Sequence, residues 1–137
     1  MVVDAAEKRP TGDPQYRWVL GFSASDNPTV RAQFFTPSRS LWRLIDYNNI
    51  DGRLWRWITL DYSYPDDSRR YSQFECTALY TSVFNPDGTG VVKINDKSAP
   101  EISQTTVSDA PVDGFWLDFP QFGDWANLSN PEYGIPE

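Results

Sequence analysis

Acidic and aromatic residues alternate through positions 98–137 in a spacing suited to gripping a cationic surface. Glu101, Asp109, Asp113, Asp118, Asp124, Glu132 and Glu137 are interleaved there with Phe115, Trp116, Phe119, Phe122, Trp125 and Tyr133. Carboxylates speed encounter with a basic protein, and aromatic rings anchor it by burying large areas. The plainer reading is that dispersed acids keep a protein soluble while terminal rings close the end of a barrel. It is the combination that points to binding.

The charge balance sharpens this. Residues 1–97 hold all 12 Lys and Arg and 12 of the 19 Asp and Glu, so the net charge of −7 belongs to the last segment. Phosphate binding requires the opposite sign, so no nucleic-acid partner is expected. The chain also lacks histidine. That removes Ser-His-Asp and Cys-His arrangements, His-containing zinc sites and the usual base titrating near neutral pH. Carboxylate-only catalysis remains chemically open, but the expectation is a protein that is not an enzyme and carries no cofactor.

Other candidates are weaker. Asp61, Asp66 and Asp67 could suggest a metal site or a glycosidase-like pair, yet Asp66 and Asp67 follow Pro65 in a turn where acids are ordinary. "DNPTV" and "NPDGTG" lack the ligand spacing of a calcium loop, and "DGTG" is too short to cradle phosphate. Arg43, Arg53 and Arg56 beside Trp42, Trp55 and Trp57 could form a stacked surface for a sugar or single strand. Alternating tryptophans are more often core, with the arginines on the solvated face.

These residues must be positioned by strands. "YRWVLGF", "VRAQFF" and the doubled phrase "LWRLIDYNNIDGRLWRWITLDY" alternate with period two, and no stretch sustains an apolar period of 3.6. "NNIDG" between two β-prone runs predicts a hairpin, because Asn, Asp and Gly tolerate the positive φ of a tight reversal. In the second arm, Leu54, Ile58, Leu60, Tyr62 and Tyr64 are expected opposite Trp55, Trp57 and Thr59. "RRYSQFECTALYTSVF" offers a long alternation, with Phe74, Cys76, Ala78, Tyr80 and Phe84 on one side; "VVKIN", "EISQTTVS" and "VDGFWLDF" follow as strands. Lys93 gives "VVKIN" the character of an edge. One short helix near "FGDWANLS" is compatible with Asp124 at its start.

The predicted fold class is all-β and mainly antiparallel, a single-domain barrel or strongly curved sheet with an irregular C-terminal tail. The organisation expected is a flexible N-terminal extension over 1–14, a β domain over 15–120 and a tail over 121–137 packed on it. At 137 residues one core is expected. The lone Cys76 fits a reducing compartment. No apolar run reaches membrane-spanning length and the first residues lack an apolar signal core, so a cytoplasmic location away from membranes is expected.

In its acidic, histidine-free β character, with turns such as "YPDDSRR" and "NPDGTG" and the run "FWLDFPQFGDWANLS", the chain resembles the small immunity proteins that bacteria encode beside secreted polymorphic toxins. The resemblance implies a cytoplasmic antitoxin that binds one cognate toxin domain and occludes its basic active-site cleft. It makes Asp113, Trp116, Asp118, Phe119, Asp124 and Trp125 the partner-contact residues, the acids imitating substrate phosphates and the indoles filling a pocket. The alternative is a lipocalin-like barrel holding a small apolar ligand, which would need a cavity that six Trp and eight Phe tend to fill.

Overall fold

The computed structural model describes residues 2–8 and 14–136. Nine strands are present among them: β1 (Val2–Lys8), β2 (Pro14–Phe22), β3 (Val30–Phe35), β4 (Leu41–Ile50), β5 (Arg53–Ser63), β6 (Ala78–Phe84), β7 (Gly90–Asp96), β8 (Ser103–Val107) and β9 (Trp116–Asp118). The first eight pair antiparallel in sequence order, and β9 joins β5. The predicted hairpin is β4–β5. Ile50 pairs with Arg53 across Asp51 and Gly52, which both have positive φ (53° and 85°), the geometry of a two-residue reversal whose twist matches the strands. The Asn49 side chain accepts from the Gly52 amide at 3.0 Å and donates to the Pro28 carbonyl.

β5 is too long for one neighbour. Its Ile58–Ser63 stretch pairs with β6, and on the same edge Arg53–Trp55 pairs with β9. A bulge separates the two stretches: Asp46 opposes Ile58 and Tyr47 opposes Arg56, leaving Trp57 as the extra residue. An extra residue inverts the alternation beyond it. The expected faces of this strand are therefore corrected: Leu54, Arg56 and Thr59 share the face of Asn49, Tyr47 and Ile45, while Trp55, Ile58 and Leu60 lie on the other. Strict alternation fails in "RRYSQFECTALYTSVF" as well, where only Ala78–Phe84 is strand. Ser72 and Glu75 form a capping box that turns Gln73–Glu75 into a 3₁₀ turn.

The sheet does not close into a barrel. "VVKIN", expected at an edge, lies inside the sheet as β7, and β8 and β1 are the outer strands. β1 falls within the segment expected as an extension, paired with β2. On one face, Trp18, Leu20, Val30, Ala32, Phe34, Ile45, Tyr47, Leu54 and Leu117 form the main core, and Leu128 from the C-terminal segment completes it with Trp125 and Tyr133 packed alongside. A second cluster of Trp55, Val112 and Phe115 lies beneath the segment leading into β9. The short helix expected near "FGDWANLS" is not formed; the tail is a run of turns with one helical-type bond, from the Ser129 amide to the Trp125 carbonyl.

Two arginines hold this tail to the sheet. Arg56 is buried, and its guanidinium donates to the carbonyls of Pro131 (3.2 Å) and Tyr133 (2.9 Å) and to Thr59 Oγ1. Burial, the largest cause, lowers its pKa from the usual arginine range. Arg43 also donates to the Pro131 carbonyl at 2.9 Å while pairing with Asp61 and Glu132. Burial opposes its charge, but those two carboxylates outweigh it and raise its pKa. Tyr133 donates to the Trp116 carbonyl at 3.0 Å. Gly134, at φ 80°, lies directly against Gly114, so a Cβ at either position would strike the other's backbone.

Three stability changes follow. Arg56→Ala takes the guanidinium donor from the Tyr133 carbonyl, while Pro131 keeps Arg43, and leaves a void under the tail; it is expected to cost about 2–3 kcal/mol. Gly134→Ala adds left-handed strain to a backbone clash and should cost about 1–3 kcal/mol. By contrast, the buried Tyr47 hydroxyl has no hydrogen-bond partner among the described residues. Tyr47→Phe should therefore leave stability within about 1 kcal/mol of the parent or raise it. Urea unfolding of the three variants measures all of this; a Tyr47→Phe loss as large as that of Arg56→Ala would contradict the assignment.

Candidate functional site

Where the tail leaves β9 and folds back over the sheet, it walls a groove of about 500 Å³. Arg53, Trp116, Asp118, Phe119, Asp124 and Tyr133 contribute side chains. Strand pairing fixes one wall: Arg53 opposes Asp118, and Trp55 opposes Trp116. Trp116 is half-buried, packed edge-on against Trp55 with centroids 4.9 Å apart, and the Arg53 guanidinium lies 5.4 Å from its ring. Arg53 also pairs with Asp118 at 2.8 Å, although the Asp118 side chain is 87% exposed. Such an exposed pair contributes only about 0–1 kcal/mol, so Arg53 and Asp118 separate at little cost.

Beside the groove stands an aromatic stack. Phe22 packs on Phe119 (6.1 Å) and Trp125 (5.3 Å), and Trp125 on Phe122 (5.5 Å). Phe122 is 83% exposed at its tip. A pile of rings ending in an exposed phenyl is suited to insertion into an apolar pocket.

Four of the six sequence-derived contact residues, Trp116, Asp118, Phe119 and Asp124, line this groove. Trp125 packs against Phe122 and is not among the residues that wall the groove, and Asp113 opens the 3₁₀ turn Asp113–Phe115 outside the groove walls. The wider set of acids does not share one face. Glu101 sits in the β7–β8 connection, Asp109 follows β8, Glu132 is paired with Arg43, and Glu137 lies outside the described residues. Sequence reading missed Arg53 as a wall of the groove and Phe122 as the exposed ring, because both depend on where the tail crosses the sheet. Of the imagined arginine and tryptophan stack, Arg43 does lie over Trp42 at 5.1 Å, but Trp55 is core and Arg53 meets Trp116 instead.

Asp61, Asp66 and Asp67 do not converge. Asp61 pairs with Arg43 in the sheet. Asp66 accepts from the Ser68 amide and hydroxyl and from the Tyr71 hydroxyl, and Asp67 accepts from the Ser38 amide. Among the described residues no three acids or thiols are grouped as metal ligands. The Ser68 hydroxyl first, then the Ser68 amide and Tyr71, hold the Asp66 pKa down from 3.8 to about 2. A depressed carboxylate stabilises the folded loop above its unfolded value of 3.8 and loses that contribution as pH falls toward about 2. Acid titration followed by Tyr71 side-chain signals should show the loop around it loosening in that window, and Asp66→Asn should remove the pH dependence.

No protein-family model, curated protein or solved structure matches this chain.

Proposed function

We propose that the chain is a non-catalytic protein-binding module, a bacterial immunity protein that neutralises a cognate secreted toxin in the cytoplasm by covering its basic active-site cleft. The observation that carries the reading is the groove itself, in which the exposed Asp118 and Asp124 carboxylates flank Trp116 and Phe119 beside the protruding Phe122. Basic side chains of the partner would displace Arg53 from Asp118, while Phe122 and Phe119 enter the cleft. The acids would then occupy positions that substrate phosphates take. The lipocalin-like alternative loses the closed barrel that it needs to enclose a ligand.

Pull-down from the native host followed by mass spectrometry tests this. The expected result is a single toxin domain whose binding weakens with added salt and with Asp118→Lys. Phe122→Ala should cost about 2 kcal/mol, near 30-fold in Kd, because exposed aromatic anchors dominate such interfaces. Recovery of a bound small molecule and no protein partner would overturn the proposal.

A further inference from the structure

A second groove, of about 480 Å³, lies between the β3–β4 turn and residues 70–74, walled by Arg39, Arg70, Tyr71, Phe74, Phe35 and Gln33. It is independent of the acidic groove: it opens beside Leu41, where β4 begins, whereas the acidic groove opens at Arg53, beyond the far end of the same strand. Its loops are held with unusual thoroughness. The buried Ser40 hydroxyl accepts from the Tyr71 amide at 2.9 Å and donates to the Arg69 carbonyl at 3.4 Å, so one side chain pins both flanks of Arg70. The Tyr71 ring is stacked on Tyr64 at 5.6 Å and covered by the Arg69 guanidinium at 3.9 Å. Glu75 secures Arg69 and the Ser72 amide, and Lys97 donates to the Phe74 carbonyl.

These bonds fix the loops, and the two arginines that the loops carry into the groove are left unmatched. Asp66, Asp67 and Glu75 are each engaged by Ser68, Tyr71, Ser38, Arg69 or Ser72, and none is paired with Arg39 or Arg70. Neither of those arginines makes an ion pair among the described residues. Arg39 is also held at φ 70°, a left-handed conformation that a long side chain adopts at a cost. Phe74 presents its ring with 83% exposure next to them. Two unneutralised guanidinium forks match the roughly doubly negative charge of a phosphate monoester, and each fork can take two of its oxygens. The exposed ring supplies a face on which a planar ring can stack.

We infer that this groove binds a small phosphate monoester carrying a planar aromatic ring, of mononucleotide size and chemistry. Arg39 and Arg70 take the phosphate, and Phe74 takes the ring. Preformed loops reduce the ordering that binding would otherwise require.

Titration of the full chain with adenosine monophosphate, inorganic phosphate and adenosine, followed by backbone amide shifts and calorimetry, tests this. The monophosphate should bind more tightly than either fragment, shifting amides of residues 36–41 and 69–75. Arg70→Ala should weaken it about tenfold or more, and Phe74→Ala should reduce it to the level of inorganic phosphate. Both side chains are exposed, so the variants should retain the parent's amide spectrum elsewhere. Equal affinity for the monophosphate and inorganic phosphate, an unchanged affinity in Arg70→Ala, absence of binding, or shifts at other residues would overturn the inference. Because the acidic groove contributes nothing here, loss of toxin binding would leave this result untouched.

Discussion

The structure depends on a buried cation meeting the carbonyls of a tail that has no regular structure of its own. An open sheet exposes an apolar face that must be covered, and here the 18 described residues after β9 lie over it as a chain of turns. Burial of Leu128 contributes about 2 kcal/mol, but apolar burial is not directional. Direction comes from Arg56, which would be costly to bury alone and, beyond Thr59 in its own strand, finds its oxygen partners in the tail at Pro131 and Tyr133. The Gly114–Gly134 approach then fixes the depth at which the tail docks.

The bulge in β5 is what makes this possible. Without the extra Trp57, Arg56 would point away from the tail and Trp55 into the main core. With it, Trp55 turns to the other side, bonds the Phe84 carbonyl at 2.8 Å, and supports Trp116. One inserted residue thus sets both the tail anchor and the wall of the acidic groove. That groove is a product of tail placement, so the contacts that stabilise the fold also shape it.

Much of the strand content was legible because period-two alternation and Asp51-Gly52 carry direct physical signals. The unread parts share a cause. Bulges at Trp57 and between Phe34 and Phe35 break alternation without changing composition. The S-x-x-E spacing of Ser72 and Glu75 is a capping signal visible in the sequence, yet the neighbouring alternation masked it. Short strands spaced by turn residues suit a barrel and a curved open sheet equally, and a tail lying on the core face removes the need for closure. The candidate site was half legible: residues of β9 and its continuation were found by their chemistry. Arg53 and the Arg39, Arg70 and Phe74 cluster were not, since they are brought together by pairings between distant segments.

Amide hydrogen exchange of the intact chain tests the central claim most directly. The account predicts that the Ser129, Asn130, Glu132 and Tyr133 amides are protected and open together with the β4–β5 hairpin, since Arg43 and Arg56 join them into one unit. Exchange of the tail at unprotected rates while the hairpin stays closed would show that the tail is not held by those arginines, and the groove built on it would not exist as described.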